Sequence, residues 1–301
     1  MQNTKTTKAS KEKLSPLTIM LFTVLTCYVV VLLIMFVWIF LTASKAYMGD
    51  YYPLDDSKPN VMGWPKKFVL FDNIAEINTG FAKFTLVGMA MNTLLYAAGC
   101  SLAKVVVTCV VAYLCARYDN WFSKLVYNVV IVAMIVPIVG SQAAEIKMAK
   151  ELWLHDEIWG MWLMRANFLG LYFLVFYSVF KGMPKGYYEA AKIDGANDWQ
   201  IMVGIAFPLV KYTFLSIFLI IFIEYWNDYI TPSLFLPSYA TLSLGLYYQS
   251  QGKELGDGKT YLQNVPYLMA TVVLVTTPVI ILFSIFSQRL MGNLSVGGLK
   301  G

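Results

Sequence analysis

The sequence predicts an all-α polytopic membrane protein with six transmembrane helices, and three observations predict it. Of the 301 residues, 58% are hydrophobic and only 14% are charged, about half the charged share of an average soluble domain. Six apolar runs recur along the chain, each near the ~20 residues that cross a hydrocarbon core. The Lys and Arg residues outside these runs concentrate on alternate aqueous segments, the bias that orients membrane helices.

Residues 1–16 carry Lys5, Lys8, Lys11 and Lys13 against Glu12 alone, with no apolar period. They read as a cytoplasmic basic arm. The run at 17–43 is too long for the apolar region of a signal peptide, so it is expected to be a retained first span with the amino terminus inside. Residues 44–85, with Pro53, Pro59, Gly63, Trp64 and Pro65, have turn chemistry rather than long helical periodicity and form an extracytoplasmic loop. A core domain over 86–288 follows, with spans at 86–113, 121–140, 158–180, 204–226 and 267–287, and a cytoplasmic tail at 289–301. In this topology the inner segments with the adjoining span ends hold twelve Lys and Arg against five acids, and the outer ones nine Lys against thirteen acids. Both termini and the segment 181–211 are therefore expected on the cytoplasmic side of the membrane.

No catalytic, cofactor-binding or metal site is predicted within the chain. Gly258-Lys259-Thr260 resembles the end of a phosphate-binding loop, but position 253 is Lys where that motif needs Gly. It reads as a polar turn. His155 is the only histidine, has no second His or Cys at ligand spacing, and reads as a surface residue. Cys27, Cys100, Cys109 and Cys115 lie in apolar runs without a paired spacing and read as packing residues. Nothing points to nucleic acid.

Two cations interrupt the spans, and a cation in the bilayer interior must snorkel or face water. Arg165, within two turns of the outer end of the fourth span, is expected to snorkel. For Lys104 periodicity leaves both options open, and the second would place it on a substrate pathway. Pro137, Gly140 and Pro278 weaken helical hydrogen bonding and read as packing kinks or cavity walls.

The segment 181–211 carries Lys181, Lys185, Glu189, Lys192, Asp194, Asp198 and Lys211 between two apolar runs, too much charge for lipid. Pro184 suits a helix's first turn and Gly195 the left-handed residue that ends one. A helix over 184–194 is expected, with Asn197 or Asp198 capping a second that starts at Trp199 and runs toward Pro208. Ala190 and Ala191 would let a partner approach closely, Glu189 offers a fixed anion, and Tyr187, Tyr188 and Ile193 offer apolar contact.

Glu189-Ala190-Ala191, then Gly195, Ile205 and Phe207-Pro208, occur at the spacing of the signature loop of ATP-binding-cassette importer permeases, with Phe207 where that pattern has Leu. Ile193-Asp194-Gly195-Ala196, Trp199-Gln200, Trp226-Asn227-Asp228-Tyr229 with Pro232, and Thr241-Leu242-Ser243-Leu244-Gly245-Leu246 extend the likeness. So do the closing Gln288-Arg289 and Gly297-Gly298-Leu299-Lys300-Gly301. Over roughly 85–301 the chain resembles the carbohydrate importers, and among them the smaller permease subunit of the maltose-transporter type. It departs at Ser243, where Pro is usual, and at Leu299, where Val is common.

The resemblance implies a type I ABC importer permease fold and a subunit that is not itself an enzyme. It also implies a second permease subunit, two cytoplasmic ATPase subunits that use ATP and Mg, an extracytoplasmic sugar-binding protein and a carbohydrate substrate, possession of a cofactor by this chain not being implied. Tyr188, Glu189, Ala190, Ala191, Asp194 and Gly195 would form the coupling contact to an ATPase subunit. Gln288, Arg289, Gly297, Gly298 and Lys300 would form a tail contact between the ATPase subunits. The alternative class is an ion-coupled secondary transporter of a small polar solute, which calls for inverted repeats and membrane-buried acids. The sequence lacks acids in its central spans, Glu224 and Asp228 lying near a predicted outer end.

Overall fold

A computed structural model describes residues 15–53, 58–77, 84–136, 140–251 and 264–294, the last eight as backbone alone. Nearly all of the basic arm, Pro137, the turn at Gly258-Lys259-Thr260, and Gly297, Gly298 and Lys300 lie outside the described residues, as do the side chains of Gln288 and Arg289. The chain divides into two compact units, 1–73 with 264–273 and 74–263 with 274–301.

In the first unit, α1 (Pro16–Ala43) opens with Pro16 in its first turn and Ser15 capping it, the hydroxyl accepting from the Thr18 amide at 3.2 Å. No residue of its most apolar stretch is buried within the chain, so lipid or another subunit must cover it. The loop after α1 is built around Lys45, which is fully buried. Its ammonium donates to the carbonyls of Asn60 at 2.6 Å and Val61 at 3.2 Å, and the Asn73 amide donates to the carbonyls of Ala43 and Lys45. Burial holds Lys45 below its ordinary 10.5, opposed by the Asp50 carboxylate. The same loop contains one short helix, α2 (Leu70–Ile77).

The second unit is organised on α3 (Leu86–Arg117), against which α4 (Trp121–Ile135), α6 (Ile158–Arg165), α7 (Leu171–Lys181), α10 (Phe207–Asn227) and α12 (Leu242–Ser250) pack. Its buried positions Met89, Thr93, Tyr96, Ala97, Cys100, Val105, Cys109 and Ala112 recur at helical spacing. Several are small, which lets neighbouring backbones approach. Gly99 shows how close: a Cβ there would lie 2.0 Å from the Trp162 indole nitrogen, which donates to the Leu95 carbonyl at 3.0 Å. Cys100, Cys109 and Cys115 are buried and Cys27 is exposed.

Among the described residues, four helical stretches are long and apolar enough to cross a membrane: Pro16–Ala43, Leu86–Arg117, Asp198–Asn227 and Val265–Phe286. Trp121–Ile135 and Leu171–Lys181 are shorter apolar helices. The third expected span, 121–140, is helical only to Ile135, and α5 (Gln142–Glu151) follows after Gly140 at φ +79°. The fourth, 158–180, is divided between α6 and α7. Its break ends at Gly170, at φ +139°, and the Thr108 hydroxyl, which donates to the Lys104 carbonyl of its own helix at 2.7 Å, lies 3.2 Å from the Asn167 carbonyl within the break. Arg165 and Asn167 make this a poor stretch for lipid, a signal that the apolar count overrode. The remaining elements are α8 (Gly186–Ile193), α9 (Asp198–Ile201), α11 (Ile230–Phe235) and α13 (Val265–Leu294), the last containing Pro278.

Candidate coupling loop

The loop helix α8 starts at Gly186, so Pro184 precedes it rather than opening it at 184 as expected. It ends in a Schellman motif. The Ala196 amide donates to the Ala191 carbonyl at 2.9 Å and the Gly195 amide to the Lys192 carbonyl at 3.1 Å. Gly195 stands between them at φ +82°, a left-handed conformation that side chains disfavour.

A capping box follows at once. The Asn197 side chain accepts from the Gln200 amide, and the Gln200 side chain accepts from the Asn197 amide, each at 2.8 Å. Asn197 is thus the cap, and α9 begins at Asp198, one residue before the expected Trp199. The second loop helix and the fifth span are not separate elements: α9 passes through a π-turn at Met202–Ala206 into α10. Pro208 explains the widening, since it cannot donate to the carbonyl four residues back and its ring would crowd it. The Phe207 amide reaches the Met202 carbonyl instead.

The residues expected to meet a partner separate into two faces. Tyr188 and Ala191 are buried in the chain's own core, with Cys109, Tyr113, Phe180 and Ile201. They anchor α8, which corrects the expectation that they face outward. Tyr187, Glu189, Ala190, Ile193, Asp194 and Gly195 are exposed, Ile193 at 86%. An apolar side chain so exposed on a charged helix is a contact in want of a partner.

The anchorage involves two residues that the sequence reading missed. The Arg117 guanidinium, at the end of α3, lies 4.3 Å from the centroid of the Tyr188 ring, in cation–π range. Next to it the Tyr118 hydroxyl faces the Asp198 carboxylate. Burial pushes the Tyr118 phenol above its ordinary value, Asp198 adding to the shift. Burial likewise raises Tyr188, with Arg117 pulling the other way. Lys192 and Asp198 pair at 3.6 Å across the Gly195 turn, but both are about half exposed, so the pair adds little. The available signal was Arg117-Tyr118 at the end of a long apolar run, read only as topology charge.

Each of the two cations in apolar runs has an acidic neighbour. Arg165 pairs with Glu145 at 3.9 Å. Lys104 is half-buried on α3 with Glu224 and Arg165 as charged neighbours, and the Tyr172 hydroxyl donates to Glu224 at 2.9 Å. His155 is partly exposed, with its ring 3.2 Å from the Leu234 carbonyl. Asp228 accepts from the Tyr96 hydroxyl at 2.9 Å.

Residues 105–295, a stretch that contains the whole of this loop, match the family model of the binding-protein-dependent transport system inner membrane component. The chain belongs to that family. It is therefore a multi-pass membrane permease component and not an enzyme. A diacetylchitobiose uptake system permease protein of Streptomyces coelicolor is 25% identical over 62% of this chain and 61% of its own length, so the match spans less than two thirds of that relative. A melibiose/raffinose/stachyose import permease protein of Bacillus subtilis is 24% identical over 88% of this chain and 90% of its own. Among solved structures, a chain of a bacterial ABC transporter involved in the import of the acidic polysaccharide alginate superposes with a TM-score of 0.75 at 17% identity. That match covers 92% of this permease and 99% of that chain, and it shows the shared fold.

Proposed function

We propose that this chain is one permease subunit of an ATP-binding-cassette importer that carries a carbohydrate, an oligosaccharide by preference, into the cell. The loop at 181–211 lies in the cytoplasm, where the exposed face of α8 docks on a separate ATPase subunit. Glu189 supplies an anion to that contact, Ala190 permits close approach, Ile193 fills an apolar site, and Asp194 with Gly195 fixes the turn. Tyr188 and Ala191 act behind them, joining the helix to the bundle. The partners are a second permease, two ATPase subunits and an extracytoplasmic sugar-binding protein. The tail, with Gln288, Arg289, Gly297, Gly298 and Lys300, reaches the ATPase pair, and both termini are cytoplasmic.

One observation carries the reading: a helix charged and exposed on one face is clamped by its other face to two apolar helices long enough to cross a membrane, α3 and the stretch from α9 through α10. Such a helix transmits a push. The two relatives described above belong to a diacetylchitobiose uptake system and a melibiose/raffinose/stachyose importer, which supports the carbohydrate class. Lys104, half-buried beside Glu224, belongs to the solute pathway.

The test is uptake and ATP hydrolysis in the reconstituted importer. Glu189→Lys and Gly195→Pro abolish sugar uptake and uncouple hydrolysis while the protein stays inserted in the membrane. Unaltered uptake in both variants refutes the docking role.

A further inference from the structure

A cavity of about 530 Å³ in the second unit is lined by Ser141, Gln142, Glu145, Arg165, Tyr225 and Phe235, among others. Its residues come from α5, α6, α10 and α11, so it is built by the fold and not by one loop. It falls within the range of small-molecule sites. Its lining is unusual for an apolar bundle, since a guanidinium, a carboxylate, a carboxamide and a hydroxyl converge beside two aromatic rings.

Arg165 is held but not satisfied. Its nearest carboxylate oxygen on Glu145 is 3.9 Å away, well beyond a charge-assisted hydrogen bond, and it lies 5.9 Å from the centroid of Phe235. Its Nε is buried with no hydrogen-bond partner among the described residues. The other oxygen of Glu145 is fixed by the Ser141 hydroxyl at 2.7 Å. A guanidinium with an open donor thus stands beside a carboxylate that still has accepting capacity.

This set of groups selects a ligand class. Vicinal hydroxyls donate to a carboxylate and accept from a guanidinium at once, and the apolar face of a pyranose ring suits an aromatic wall. A lone carboxylate ligand would suit Arg165 but would meet Glu145 as a like charge. We infer that this cavity is a subsite for a neutral sugar ring on its way through the permease, with Arg165 and Glu145 reading hydroxyls and Tyr225 supporting the ring. The inference rests on the carbohydrate reading above and adds the place, the residues and the preference for an uncharged ring.

The experiment uses the complete importer with its binding protein in proteoliposomes. The panel is raffinose, maltotriose, diacetylchitobiose and a trigalacturonate, and the variants are Arg165→Lys, Glu145→Gln and Tyr225→Ala. Arg165→Lys keeps the charge but loses the fork, and KM for the transported neutral sugar rises roughly tenfold. Glu145→Gln weakens neutral-sugar uptake and improves the ratio of trigalacturonate to neutral sugar. The ratio of trigalacturonate to neutral sugar is the readout that a merely structural role would not move. Tyr225→Ala gives the same KM effect where the protein inserts normally. A wild-type importer that carries no sugar of the panel overturns the carbohydrate reading and this inference with it. A wild type that carries one, with Arg165→Lys and Glu145→Gln leaving KM and the acid-to-neutral ratio unchanged, overturns this inference alone.

Discussion

Replacing Gly195 by Ala tests the coupling loop at its most constrained point. The residue stands at φ +82°, and a Cβ built on it meets no atom within 4 Å. The cost is therefore backbone conformation alone, about 1–2 kcal/mol for an L-residue held left-handed. The loop either bears that strain or escapes it by abandoning the Schellman turn. In the first case the loop loses stability. In the second the exposed face of α8 is presented wrongly, and a loss of 1–2 kcal/mol corresponds to a factor of about 5–30 in an equilibrium.

Two controls separate this cause from general intolerance. Gly195→Asn should lose markedly less, since Asn visits the left-handed region with a local hydrogen bond. Gly186→Ala adds the same methyl to α8 at a position with no positive φ and nothing within 4 Å. It should leave docking intact or improve the helix by up to about 1 kcal/mol. The assay is titration of the purified permease complex in detergent with ATPase subunits, together with the mobility of a spin label at Ile193→Cys in a Cys27→Ser background. If Gly195→Ala binds the ATPase as tightly as Gly186→Ala and leaves the label equally immobile, the argument from backbone conformation fails.

Arg117→Leu removes the cation over Tyr188 and should loosen α8 by about 0.5–1 kcal/mol. Tyr188→Phe keeps the ring and should cost less, which a double-mutant cycle on loop mobility will show. Gly99→Ala must displace the Trp162 indole and break its hydrogen bond to Leu95, costing about 1–3 kcal/mol and lowering the thermal midpoint in detergent. Alkali should free the loop. Tyr118 and Tyr188 have raised pKa values in the fold, so the packed state favours the neutral phenols. Stability is then intact below the unfolded phenol value near 10 and falls as pH rises from there toward the folded values. A spin label at position 193 should become mobile over that window, and less so in Tyr188→Phe.

What the sequence could show depended on whether the signal was local. Gly195, Asn197 and the ends of the helices on either side of them follow from capping chemistry, which acts over four or five residues, and they stand within two residues of where spacing put them. The inward turn of Tyr188 and Ala191 was not legible, because an eight-residue helix with both aromatic and small residues on two sides does not declare which side is covered. That choice is made by α3 and α7, more than seventy and about ten residues away in the chain. The divided fourth span was misread for a similar reason. Average hydropathy over 158–180 is that of a span, while the break falls where Arg165 and Asn167 interrupt it, two polar residues that an average dilutes. Arg165 needed Glu145 to stay inside, a pairing between separate elements that no window on the sequence contains.

The path from α8 to the bundle has no soft joint within the described residues, and this bears on how a push would travel. A flexible linker after Gly195 would let α8 rotate without moving anything else. Instead the Schellman turn runs directly into the Asn197–Gln200 capping box, and α9 continues through the π-turn into α10 without leaving helical structure. On the other side, Arg117 and Tyr118 join α8 and α9 to the end of α3. A displacement of α8 must then carry α3 and α10 with it or break contacts at both ends. The π-turn is the one place on that path where the backbone ladder is already out of register, so bending is expected at Met202–Ala206 rather than at the loop. Pro208→Ala would let that turn relax toward a regular α-helix. The helix would gain stability, and the angle between the loop and α10 would change, so uptake should fall while insertion and thermal stability hold or rise. Uptake equal to wild type, with a spin-label distance from Ile193→Cys to the far end of α10 also unchanged, would remove the π-turn from the mechanism and leave the Gly195 turn as the moving part.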